Sequence, residues 1–139
     1  MFNIRVYGIL IADDNILLCE ESFRGVQMTK FVGGGLELGE GTIDCLKREF
    51  LEEMDIEINV VSHFYTTDFY QKDAFFENSQ LISIYYVVEP ANPLSVEYLQ
   101  KINRTNKFGI TFKFESLQDF NANKLTWPVD KYVAGLLLK

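Results

Sequence analysis

One histidine, two cysteines and three prolines are all that these 139 residues hold of those types. Cys19 and Cys45 form no CxxC pair and have no histidine at zinc-ligand spacing. That argues against a disulfide scaffold or a zinc site and fits a reducing, cytoplasmic setting. Cations are scarce too. Thirteen Lys and Arg stand against 20 Asp and Glu, a formal net charge of −7, and no basic stripe is present for a nucleic-acid polymer. Nor does a long apolar run survive unbroken. The opening stretch MFNIRVYGILIADDNILL is interrupted by Arg5, Asp13 and Asp14, so it reads as neither a signal peptide nor a membrane span. Repeats, low-complexity tracts and linkers are missing, and one domain over residues 1–139 is expected.

Hydrophobic residues make up 47% of the chain and charged ones 24%, the balance of a globular protein with a real core. Aromatics are abundant, with 12 Phe, seven Tyr and one Trp, enough to fill a core and leave some to stack on a planar ligand. IRVYGILIA and NILLCEE flank the turn-forming Asp13-Asp14-Asn15 and predict a β-hairpin. KFVGGG predicts a strand running into a glycine loop. INVVSHFYTTDFY, LISIYYVVE and GITFKFESL are β-branched and aromatic, as strands require. From Thr42 to Met54 the period becomes helical. A closing helix is expected at Pro128, with Val129, Val133, Leu136 and Leu137 at helical spacing. Between residues 90 and 109 a loop carrying a short helix (Val96, Leu99, Ile102) is expected. The order of elements predicts an α+β sandwich with a mixed sheet.

The internal helix poses a charge problem. At ~100° per residue, Ile43, Leu46, Phe50 and Met54 form an apolar stripe, while Glu49, Glu52 and Glu53 share one face beside it. Like charges at this spacing cost the helix a few tenths of a kcal/mol per pair, about 0.2–0.5. They also crowd toward the C-terminal end, where the helix dipole disfavours anions. A solvated helix face tolerates such a cost. Here, however, the triplet follows Gly33-Gly34-Gly35, Glu37, Gly39, Glu40 and Gly41. Glycines allow close backbone approach, and carboxylates with a carbonyl and waters are what Mg²⁺ or Mn²⁺ prefers.

Taken whole, Gly34-x5-Glu40-x7-Arg48-Glu49-Phe50-x-Glu52-Glu53-x-Asp55-Ile56 resembles the signature of the Nudix (MutT-like) hydrolase superfamily, with every charged position at the right spacing. Two positions depart from it. Asp55 stands where the family has glycine, and Val32 where proline is frequent. Asp tolerates the left-handed backbone better than most residues, so a slightly costlier helix exit is expected. The resemblance implies an α/β/α sandwich and Mg²⁺-dependent hydrolysis of the diphosphate linkage in a nucleoside diphosphate derivative, with Mn²⁺ as a substitute. It implies Glu49, Glu52, Glu53 and the Gly34 carbonyl as metal ligands. Catalytic roles would fall to Glu53 as base, Glu52, and Arg48 orienting a glutamate, with Glu37 and Glu40 supporting the loop. Glu97 and Glu115 are the candidates for a distal base, Glu115 being expected to face solvent. The alternative of another class is a Nudix-fold module that senses a nucleotide metabolite without cleaving it.

For substrate contacts the sequence offers Arg24, Lys30 and Glu40, with Phe23, Phe69, Tyr70 or Phe76 for base stacking. The stretch LTWPVDKYVAGLL reads mainly as a docking helix, with Trp127 or Asp130 as the candidate at the pocket border. His63 is given no catalytic role, and Cys45 reads as a small residue making room. The expected partner is a small nucleoside diphosphate-linked molecule, with no nucleic-acid polymer and no membrane. A homodimer is the one macromolecular partner left open.

Overall fold

The computed structural model describes residues 1–95, 98, 102 and 105–139. Strands β1 (Phe2–Ala12), β2 (Asn15–Phe23), β3 (Val26–Lys30) and β4 (Val32–Gly35) lead into helix α1 (Thr42–Met54). Then come β5 (Ile58–Thr66), β6 (Gln80–Pro90), β7 (Thr111–Ser116), a 3₁₀ turn (Ala122–Lys124) and helix α2 (Pro128–Leu137). The expected hairpin, both helices and the strand order are all present. Val96, Glu97 and Leu99 lie outside the described residues.

The sheet is mixed. β1 runs parallel to β6 (Val6 opposite Ile84) and antiparallel to β4 (Val6 opposite Gly34), and β5 is antiparallel to β6. β2 lies between β3 and β7, pairing with both, and joins β1 only at their shared corner (Ile11 opposite Ile16). Because side chains alternate across a strand, β1 and β2 feed two cores. Val6, Leu10, Leu17 and Cys19 pack toward α1 with Leu46, Phe50 and Met54. Tyr7, Ile9, Ile16 and Leu18 pack toward α2 with Val129, Val133 and Ala134. The result is an α/β/α sandwich.

Phe50 pins α1 to the sheet. Its ring is fully buried over Gly8, where a β-carbon would come within 2.7 Å of it. Burying a ring of that size contributes about 1.5–3 kcal/mol. The helix ends on Asp55 in the left-handed region (φ 55°, ψ 38°), whose N–H donates to the Leu51 carbonyl at 3.0 Å. Exposed terminal carbonyls find side chains: Asn106 Nδ2 donates to Glu53 O and the Tyr98 hydroxyl to Met54 O, both at 3.1 Å. The expected helix exit is therefore the one observed.

Four expectations need correction. Ile43 is 42% exposed and leaves the apolar stripe, its place taken by the fully buried Cys45. VQMTK forms a strand that its mixed composition did not announce, because a two-residue turn at Arg24-Gly25 (φ 50° and 79°) folds it back on β2. β5 stops at Thr66 instead of running to Tyr70, after register shifts at Val60/Ser62 and His63/Tyr65. Glu115 does not face solvent. Its side chain is only 13% exposed, salt-bridged to Lys124 at 2.9 Å.

Candidate active site

Glycine and glutamate meet where β4 packs against the middle of α1. A β-carbon on Gly34 would lie 2.5 and 2.7 Å from the Glu49 carboxylate oxygens, so that carboxylate rests directly against bare backbone. Arg48 organises the surrounding acids. Its Nε and Nη2 donate to the two Glu40 oxygens at 3.0 and 2.7 Å, a bidentate pair, and Nη2 also donates to Gly35 O at 3.2 Å. Its Nη1 donates to Glu49 at 2.9 Å and to Glu52 at 3.3 Å. Glu40 further accepts the Glu37 N–H at 2.9 Å. Hydrogen bonds from Arg48 and then from Glu37 hold the Glu40 carboxyl down to about 2. Glu40 thus stays ionised and locks Arg48 in place.

Glu53 sits in the opposite situation. Burial first, and then the negative charge of Glu49, push its carboxyl well above the usual range, with Lys30 opposing in part. Two carboxylates this close cannot both ionise cheaply without a cation. Among the described residues no three acidic, histidine or cysteine side chains already converge in ligating geometry, because Arg48 draws Glu49 and Glu52 toward itself. The donor set still fits a hard divalent ion. It offers carboxylate oxygens and a backbone pressed against one of them, in a place where negative charge is underbalanced.

A cleft of ≈ 490 Å³ lies on the α2 side of the sheet. Its floor carries Asn3, Arg5, Tyr7, Ser83 and Tyr85, and its far wall is aromatic: Phe23, Phe75, Phe76 and Trp127. Phe75 meets Phe23 edge-on at 4.8 Å and Trp127 edge-on at 5.7 Å. Asp130, in the first turn of α2, is buried and accepts the Tyr85 hydroxyl at 2.5 Å. Burial pushes its carboxyl up to about 6 despite that hydrogen bond and the nearby cations Lys30 and Arg5. Lys30 is also buried, salt-bridged to Glu21. Lys30 lines the cleft, and its charge favours the ionised forms of both Glu53 and Asp130.

The structure brings Glu49, Glu53, Arg48, Glu40 and Gly34 together and leaves Glu52 on the outer edge, its side chain 55% exposed. Lys30, Phe23, Phe76, Trp127 and Asp130 line the cleft, while Phe69, Tyr70, Arg24 and Glu40 do not. Phe69 packs on Tyr132, and Tyr70 lies on the surface near Met1 and Phe2. Glu40 is committed to Arg48. His63 is on the exposed edge, paired with the Thr66 hydroxyl at 2.8 Å. Burial first raises both cysteine thiols to about 12, which leaves neither as a nucleophile. Sequence reasoning missed Arg5, Glu21 and Tyr85. For Arg5 a signal existed: Asn3, Arg5, Tyr7 and Ile9 share one face of β1, and a charge among inward-facing positions marks a site.

Among solved structures, a NUDIX hydrolase from Nitrosomonas europaea is similar at 20% identity and TM-score 0.73, over 96% of this chain and 86% of that one. A MutT NUDIX hydrolase from Burkholderia pseudomallei is similar at 13% identity and TM-score 0.72, over 97% of both chains. A UDP-X diphosphatase is similar at 14% identity and TM-score 0.66, with this chain spanning 63% of its length. No curated protein sequence matches at a significant level. The sequence does match the NUDIX domain over residues 1–134, and with the fold and the glutamate face this places the chain in the NUDIX family.

Proposed function

We propose that the chain is a Mg²⁺-dependent hydrolase that cleaves the diphosphate linkage of a nucleoside diphosphate derivative by attack of water on phosphorus. The observation that carries this reading is the Glu49 carboxylate seated on Gly34 beside the underbalanced Glu53. Glu49, Glu52, Glu53 and the Gly34 carbonyl would hold the ion, with Mn²⁺ able to replace it. When bound, the ion neutralises diphosphate charge and lowers the pKa of attacking water.

The remaining work falls to the protein's own groups. Arg48, locked by Glu40, orients Glu49 and Glu52. Glu53, once ionised, accepts at a carboxylate oxygen the proton that the water gives up as it attacks. Lys30 sets positive charge in the cleft lining, and that charge also acts on Glu53. Trp127, Phe75 and Phe23 offer ring surfaces to the nucleoside. The likeness to a UDP-X diphosphatase and to MutT supports a nucleotide-linked substrate.

A panel of NDP-sugars, ADP-ribose, dNTPs and dinucleoside polyphosphates, assayed with and without Mg²⁺, tests the proposal. Wild type should turn over at least one class only with metal, and Glu53→Gln should lower kcat by roughly 10²–10⁴-fold. Glu52→Gln should lower it as well. Binding without turnover would instead make the chain a sensing module.

A further inference from the structure

Arg24 does not line the cleft yet touches three of the four residues of its aromatic wall, Phe23, Phe75 and Phe76. Its Nη1 donates to the Phe75 carbonyl at 3.1 Å, joining the β2–β3 turn to the loop before β6. Its guanidinium lies 5.3 Å from the Phe23 ring centre and 4.7 Å from that of Phe76. Those two rings flank Phe75, which in turn packs edge-on against Trp127. From the inner side the same loop is fixed by Asp73. Its buried carboxylate accepts the N–H groups of Phe75 (2.9 Å) and Phe76 (3.3 Å), the Ser79 hydroxyl (3.1 Å) and Asn3 Nδ2 (3.2 Å). Arg24 also holds a left-handed backbone (φ 50°) in a turn that would accept Asn or Gly more easily. The local backbone gains nothing from arginine, so its side chain is what the position uses.

We propose that Arg24 is a positioning residue that clamps the β2–β3 turn onto the loop before β6, holding Phe75 edge-on to Trp127 and so fixing the aromatic wall that the substrate's base would meet. The inference rests on the reading of the cleft as a nucleoside site. It assigns to Arg24 no contact with phosphate and no part in the chemical step. Substrate selectivity between large and small bases would then depend on a residue that never touches the base.

The test uses Arg24→Asn, which suits the turn, with Arg24→Lys as the conservative rescue. Trp127 is the only tryptophan, so its emission reports on the wall without substrate. Arg24→Asn should melt no lower than wild type, and acrylamide should quench its Trp127 more readily. Its KM should rise by roughly tenfold, the size of one or two lost aromatic or cation–π contacts, with kcat within about twofold of wild type. Arg24→Lys should recover part of both changes. Unchanged quenching, or a fall in kcat at constant KM, would overturn the clamp. A wild type that hydrolyses nothing sinks the hydrolase reading alone. In that case binding of AMP, GMP, CMP and UMP, followed through Trp127, decides the clamp. Weaker binding in Arg24→Asn supports it, and equal binding or none to wild type overturns it.

Discussion

The glutamate face and the aromatic cleft each hold a carboxyl pushed upward by burial, but in different company. Glu53 faces another carboxylate, Glu49, and Lys30 offsets the repulsion in part. Asp130 faces the Tyr85 hydroxyl, which satisfies it with a hydrogen bond, and Lys30 and Arg5 favour its ionised form further. The first arrangement is relieved by a cation, whereas the second is already complete as a neutral or singly charged pair. On the proposed reading, the same burial would favour a metal in one place, and it builds a fixed, polar floor in the other. Lys30 lines the cleft and its charge acts on the raised carboxyl of each region.

The comparison can be broken from either side. The largest effect is expected on the face, where Glu53→Gln removes the acceptor and most turnover. Relief of the repulsion with Glu49 should make that inactive variant more stable than wild type in metal-free buffer at neutral pH. The next concerns the cleft. Asp130 has a folded pKa of about 6, above its unfolded value. At this site the native state therefore binds more protons than the unfolded one between those limits, and the Asp130 contribution to stability is greatest below them. That contribution should fall by about 2–3 kcal/mol as pH rises from about 4 to about 6 and then level off. The raised Glu53 carboxyl keeps adding to the decline up to about pH 8. Asp130→Asn should make the decline between about pH 4 and about pH 6 shallower than in wild type, in urea melts taken across that window. The smallest is at Gly34. An alanine there pushes the end of a flexible Glu49 side chain aside while leaving the sheet register intact. Apparent Mg²⁺ affinity should weaken by roughly 10–100-fold in a calorimetric titration, with the metal-free melting temperature little changed.

The two regions also differ in how far they could be read from sequence. The face is local. Gly34 to Ile56 are contiguous, the helical period sets the glutamates side by side, and even the left-handed Asp55 followed from chain chemistry. The cleft is assembled from β1, β2, β3, the loop before β6, β6 itself and the start of α2. No spacing along the chain announces that Tyr85 will meet Asp130, 45 residues away. Phe69 and Tyr70 fitted a stacking role by residue type, but β5 ends before them and the loop carries Phe75 and Phe76 into the cleft instead. Arg24 was offered for substrate contacts on residue type alone, and the partners it has in the fold, a carbonyl and two rings, come from segments far apart in the chain.

That a divalent ion belongs on the glutamate face is the central claim, and one measurement reaches it without any knowledge of the substrate. Thermal melts of wild type and Glu49→Gln should be compared at pH 8 with and without Mg²⁺. A ligand at about 100 times its Kd stabilises by about 2.7 kcal/mol, enough to raise the melting temperature by several degrees. Wild type should show that rise and Glu49→Gln should lose it. No shift in wild type, or an equal shift in both, would contradict the assignment.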